Sequence, residues 1–234
     1  MFRRPLAAAL AAGVAGSSLL LAAPTALAHD NGKKPMKDNR GQAKTVELNA
    51  TLGQLNFSGV SGTAHATVRN QQIRHIEVHA NGLTPDAPHA MHIHFGPQAR
   101  HECPTMAEAT NKRADGTPRL STADGQPAYG PIAVSLTTTG DTSPASGLAL
   151  DRFPVSMGGK LDYSRDHVEV GSVDGIGSAK EIADAIRRGE GVVVVHGVDY
   201  NRNGTYDTMS AGNSELDRSL PAEGTDPAAC GVLR

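Results

Sequence analysis

Residues 46–52, VELNATL, alternate strictly: Val46, Leu48, Ala50 and Leu52 fall on one side, Glu47, Asn49 and Thr51 on the other. A period of two is the signature of a half-buried β-strand. The same alternation returns in GTAHATVRN (62–70) and QQIRHIEVHA (71–80), with Asn70 near the turn between them. It continues in HAMHIHF (89–95), PIAVSLT (131–137) and DHVEVGSV (166–173). GEGVVVVHGV (189–198) is a short β-branched run, as expected of a strand covered on both faces. Helical spacing occurs in SAKEIADAIRRG (178–189), where Ile182, Ala185 and Ile186 line one side, Ser178 is an N-cap and Gly189 a stop. Short strands parted by Gly, Pro and Asn turns predict an all-β sandwich or barrel of about eight strands. One short helix near 179–188 joins it, and residues 104–128 and 137–163 are expected to be long surface loops.

Upstream of these strands the pattern changes. Residues 1–28 carry Arg3 and Arg4, an apolar stretch and Ala26-Leu27-Ala28, the layout of a secretory signal peptide cleaved after Ala28. Residues 29–44, HDNGKKPMKDNRGQAK, are polar without periodicity and read as a flexible tail. The β domain is then 45–234, in a chain predicted to be secreted and extracellular. Losing the two signal-peptide arginines moves the formal net charge from −2 to −4, which argues against a nucleic-acid partner. There is no polybasic stretch for an anionic membrane, and the mature chain is not expected to insert in one. Aromatics are only 3% and Trp is absent, which argues against a stacking platform for sugars or bases.

Candidate chemistry centres on histidine. Side chains two apart on a strand share a face, so His92 and His94 project together, roughly 6–7 Å apart. A third metal ligand must come from a neighbouring strand, and His196, closing VVVVH, is the candidate. Three imidazoles with no carboxylate or thiolate suit copper or zinc, with copper favoured by intrinsic affinity. The competing reading is that these rings only bond to backbone on a polar sheet face. Cys103 and Cys230 are the two cysteines of a chain read as exported, so a disulfide between them is expected. Asp199, Asn201, Asn203 and Asp207 stand at positions 1, 3, 5 and 9 of a D-x-N-x-N-G calcium loop, with Gly204 at position 6. Ser210 replaces the usual glutamate at position 12, and an Asn/Gly-rich turn is the favoured explanation of the pattern. His29 would become an amino-terminal copper chelator after cleavage, although it begins a polar tail. His65, His75, His79 and His89 read as strand or loop-edge residues, His89 with some claim to support the site.

The ordered set of His92-Ile93-His94, Cys103, His196 after a valine run, and AACGV at 228–232 resembles the Cu/Zn superoxide dismutase family over roughly residues 45–232. The resemblance implies a Greek-key β-sandwich or barrel, a copper held by His92, His94 and His196, superoxide as substrate, and a disulfide from the first loop to the tail. The match is partial. Residues 104–128 hold no histidine, so the family's bridging histidine and zinc ligands are missing and no family-type zinc site is expected. Where the family carries its guiding arginine this chain has Asp226-Pro227-Ala228-Ala229, and Arg218 is the nearest upstream. His101 and His167 are candidates for a fourth ligand, although neither matches a family position. GLTPDAPHAMHIHFG (82–96) also resembles CHRD-type β-domains, which implies the alternative of a secreted non-catalytic module binding metal weakly or not at all.

Overall fold

The alternation read from the sequence becomes a curled antiparallel sheet in the structure, a computed structural model describing residues 45–234. The signal segment 1–28, the tail 29–44 and His29 lie outside the described residues. Strands β1 (Val46–Gln54), β2 (Ser61–Arg69) and β3 (Gln72–Asn81) form a meander. Asn70 takes the left-handed turn position, φ 56°, between β2 and β3. That region is one asparagine tolerates better than most side chains. Leu48, Ala50, Leu52, Ala64, Ala66, Val68, Val78 and Ala80 point into the core as the period of two requires. Ile73 and Ile76 are both buried although three residues apart, because the β2–β3 register shifts between Thr67 and Val68. That bulge places one extra residue on β3 and returns the pattern to the core face.

The chain then crosses to β4 (Met91–His94). A long excursion follows, holding the two-residue strands β5 (Asn111–Lys112) and β6 (Pro118–Arg119) and helix α1 (Thr122–Tyr129). After β7 (Ile132–Ser135) the chain returns through β8 (Lys160–Glu169), α2 (Ala179–Arg187), β9 (Val192–His196), the short α3 (Ala222–Thr225) and β10 (Pro227–Val232). The order β7-β4-β9-β10-β1-β2-β3-β8 requires repeated crossings between the two ends of the sheet, in the manner of a Greek key. One face of all eight strands curls around a common apolar core.

Some predicted elements change their extent. The strand expected at 166–173 begins at Lys160, inside a presumed loop, because Leu161 and Tyr163 face the core. The excursion 104–128 is not simply a surface loop. Arg119, Leu120 and Ser121 are buried, and α1 starts on a Ser121–Asp124 capping box. Gly125 and Pro127 mask that helix in the sequence, and a Cβ at 125 would collide with the Tyr129 ring. β10 is a central strand that its sequence, PAACGV, does not announce, since nearly every position is buried and no alternation survives. Helix α2 occupies 179–187, within the range predicted for it.

Candidate metal centre

Register places the histidines before any side chain is considered. β4 lies between β7 and β9, with His92 opposite Val194 and His94 opposite Val192. The His196 amide bonds to Ala90 O, so His92, His94 and His196 share one face of the β4–β9 pair. Met91, Ile93, Val193 and Val195 take the opposite face into the main core. The histidine face is covered by the excursions instead. Leu120, Tyr129, Val192, Val194 and Cys230 form a second apolar cluster there, against Cys103. The Cys103–Cys230 disulfide joins the covering segment to β10.

Each ring is oriented by one backbone carbonyl. His92 Nε2–H donates to Gly147 O (3.1 Å), His94 Nδ1–H to Gly130 O (2.8 Å) and His196 Nδ1–H to Thr225 O (2.7 Å). A neutral imidazole has one N–H, so each ring keeps a lone pair on its other nitrogen. Those atoms, His92 Nδ1, His94 Nε2 and His196 Nε2, are buried and have no hydrogen-bond partner. One ring nitrogen from each of the three histidines lies within 4.8 Å of the others. Leaving a buried acceptor unmatched costs about 1–3 kcal/mol, and here three converge on one point. Carbonyl-fixed tautomers behind a shared set of lone pairs are the usual support of a metal ion. Among the described residues this is the one group of three or more His, Cys, Asp or Glu side chains arranged to hold a metal. Phe153 packs edge-on against His92, and the Tyr129 ring lies 4.5 Å from that of His94.

Protonation does not relieve the site. Burial, reinforced by the neighbouring His196 ring, holds His92 well below its ordinary value and pushes His94 down to about 3. Burial pushes His196 down to about 4, against the Thr225 carbonyl and the Glu215 carboxylate, which pull it up. The unfolded chain therefore takes up protons near pH 6.5 that the folded metal-free protein refuses. Stability from these rings is fully present above that pH and is lost as pH falls toward 4 and 3. His94 and His196 should each remove on the order of 2 kcal/mol by pH 5. Melting the metal-free protein from pH 7.5 to 5 should show a steep fall in Tm, reduced in a variant with all three histidines replaced by glutamine. Equal pH profiles for the two proteins would mean that the rings protonate freely in the fold.

The other candidates are dispersed. His89 is buried and meets the backbone oxygens of His196 (2.9 Å) and Thr84 (3.2 Å), outside the cluster. Gly197 follows at φ 107°, where a Cβ would meet the Tyr206 hydroxyl and the His89 ring. His101 stacks on Phe95 and donates to Gly96 O, while His167 is exposed on β8 near Gln72. His65, His75 and His79 pair with carboxylates on the outer sheet face. Asp199 accepts the amides of Asn203 and Gly204, and Asp207 accepts the side-chain amides of Asn201 and Asn203, all within one exposed turn. Arg218 is exposed, whereas a buried pair unforeseen from the sequence, Arg119–Asp226, lies behind His196. Its partners are 107 residues apart, and no local pattern marks them.

Fold and site together define an all-β domain with a buried three-histidine cluster on the outer face of its sheet. Among solved structures 24 chains match. One is described as Candida albicans superoxide dismutase 5 in its Cu(II) form, 15% identical, with a TM-score of 0.36, covering 81% of this chain and 92% of that one. No protein-family model matches the chain, and no curated protein does.

Proposed function

We propose that this is a secreted copper protein whose His92, His94 and His196 hold one copper ion and support superoxide dismutation without a second metal. The observation that carries the reading is the convergence of three buried, unpartnered imidazole nitrogens. An all-imidazole donor set suits copper, which also stands highest in intrinsic affinity among the divalent ions. The disulfide supports an oxidising compartment. Among the described residues no helix is long and apolar enough to cross a membrane.

Copper bound there supplies a one-electron couple, able to accept an electron from one superoxide and return it to another. The chain's own part is to fix three donors by the Gly147, Gly130 and Thr225 carbonyls and to keep the rings unprotonated. Its electrostatics do little to attract an anion. Arg119 is spent on Asp226, and the carboxylate of exposed Glu215 is close enough to act on His196. Those two facts favour a second reading, copper binding with little turnover.

Metal analysis of the mature protein with a dismutase assay tests the proposal. One copper per chain and an activity abolished by His92→Ala are the expected results. The rate should rise as ionic strength goes from about 10 to 150 mM, because salt screens repulsion between superoxide and a negative protein. No stoichiometric copper after loading would overturn the reading, and one inert copper per chain would select copper binding with little turnover.

A further inference from the structure

The ion pair behind His196 has a use that burial energetics alone do not explain. The Arg119 side chain is 7% exposed and that of Asp226 0%, with Nη1 3.1 and 3.0 Å from the two carboxylate oxygens. The Tyr200 hydroxyl donates to Asp226 Oδ2 at 2.8 Å. Desolvating two charges costs several kcal/mol, and an apolar pair of similar volume is often as stable or more so.

What the pair holds is backbone. Asp226 follows Thr225, whose carbonyl accepts His196 Nδ1–H. The carbonyl of Asp226 accepts the amide of Gly197 (2.9 Å), and Pro227 stands opposite His196 in the β9–β10 ladder. Arg119 arrives from the excursion before α1, and its neighbours are stitched to the same segment. The Asn56 side-chain amide donates to both Leu120 O and Pro227 O, and the Thr122 hydroxyl donates to Thr225 O at 2.7 Å. The ion pair is therefore the charged centre of a seam between residues 119–122 and 225–227.

We propose that Arg119 and Asp226 are positioning residues for the metal centre: by fixing residues 225–227 they set the tautomer and plane of His196, so that Nε2 faces the lone pairs of His92 and His94. The proposal rests on the reading of the three histidines as a copper site. Without the pin the Thr225 carbonyl can shift. The His196 ring can then move its proton to Nε2 and cover the donor atom.

The test uses Arg119→Lys and the double variant Arg119→Met/Asp226→Leu. The double variant removes both charges at similar volume, because a single replacement would strand the other charge and can unfold the domain. It should melt close to the wild-type temperature. Nitrogen-15 NMR of the histidine rings in metal-free protein should then show the His196 proton on Nδ1 in the wild type and shared between both nitrogens in the double variant. Copper affinity should fall about 10–100-fold, the usual effect of losing support behind a ligand. The Cu(II) paramagnetic resonance spectrum should change with it, and Arg119→Lys should lie between wild type and double variant. A folded double variant with the wild-type His196 tautomer overturns the proposal. The ring NMR decides this even if the wild type binds no copper, an outcome that would remove the copper reading alone.

Discussion

Copper affinity is expected to fall by far more than 100-fold when His196 is replaced by alanine, beyond the usual effect of losing an outer hydrogen-bond partner. The substitution deletes one of three converging lone pairs and leaves the Thr225 carbonyl that oriented it with the Thr122 hydroxyl alone. Two imidazoles on a single strand remain, His92 and His94, and these cannot surround an ion. His92→Ala and His94→Ala should be comparably severe, since each ring is equally buried and equally fixed by one carbonyl. His75→Ala and His79→Ala serve as controls. Their rings pair with Asp166 and Asp162 on the exposed sheet face, so their loss should leave affinity at the buried site unchanged. Competition titrations against a calibrated chelator measure all five variants and the wild type under one condition. Wild-type affinity in the His196→Ala protein would eliminate the three-histidine centre.

The same residues show how much of the site was legible in the sequence. A period of two fixes which side chains share a face, so His92 and His94 could be paired from their spacing alone. The pairing of His196 with that face depends on β9 lying beside β4, a neighbour relation between residues about a hundred positions apart. There the valine run and the family resemblance, rather than local pattern, supplied the third residue. The carbonyls of Gly130, Gly147 and Thr225 left no trace, because any residue has a carbonyl and only the path of the backbone aims it. The buried strand β10 was illegible for a related reason, since residues covered on both faces do not alternate. Helix α1 was hidden by Gly125 and Pro127, which lower helix propensity although its capping box and the packing of Tyr129 sustain the turns. Arg119 and Asp226 illustrate the limit most clearly. Each reads as an ordinary surface charge in the chain, and only the fold makes them partners.

Reduction of the Cys103–Cys230 disulfide is expected to lower the melting temperature by roughly 10–20 °C. The bridge joins residues separated by 127 positions. Closing so long a loop is worth about 5 kcal/mol in the chain-entropy model, and each kcal/mol moves Tm by roughly 2–4 °C in a domain of this size. Its location adds a local effect. Cys230 lies on the central strand β10, while Cys103 anchors the segment that covers the histidine face through Leu120 and Tyr129. That segment also ends at Gly130, whose carbonyl holds His94. Loosening it should therefore weaken copper binding as well as stability, and bound copper should recover part of the lost Tm by mass action. Calorimetry of the Cys103→Ala/Cys230→Ala protein, metal-free and copper-loaded, separates the two contributions. A large fall in Tm with unchanged copper affinity would show that the bridge stabilises the fold without supporting the site. An unchanged Tm would mean that packing alone holds the excursion on the sheet.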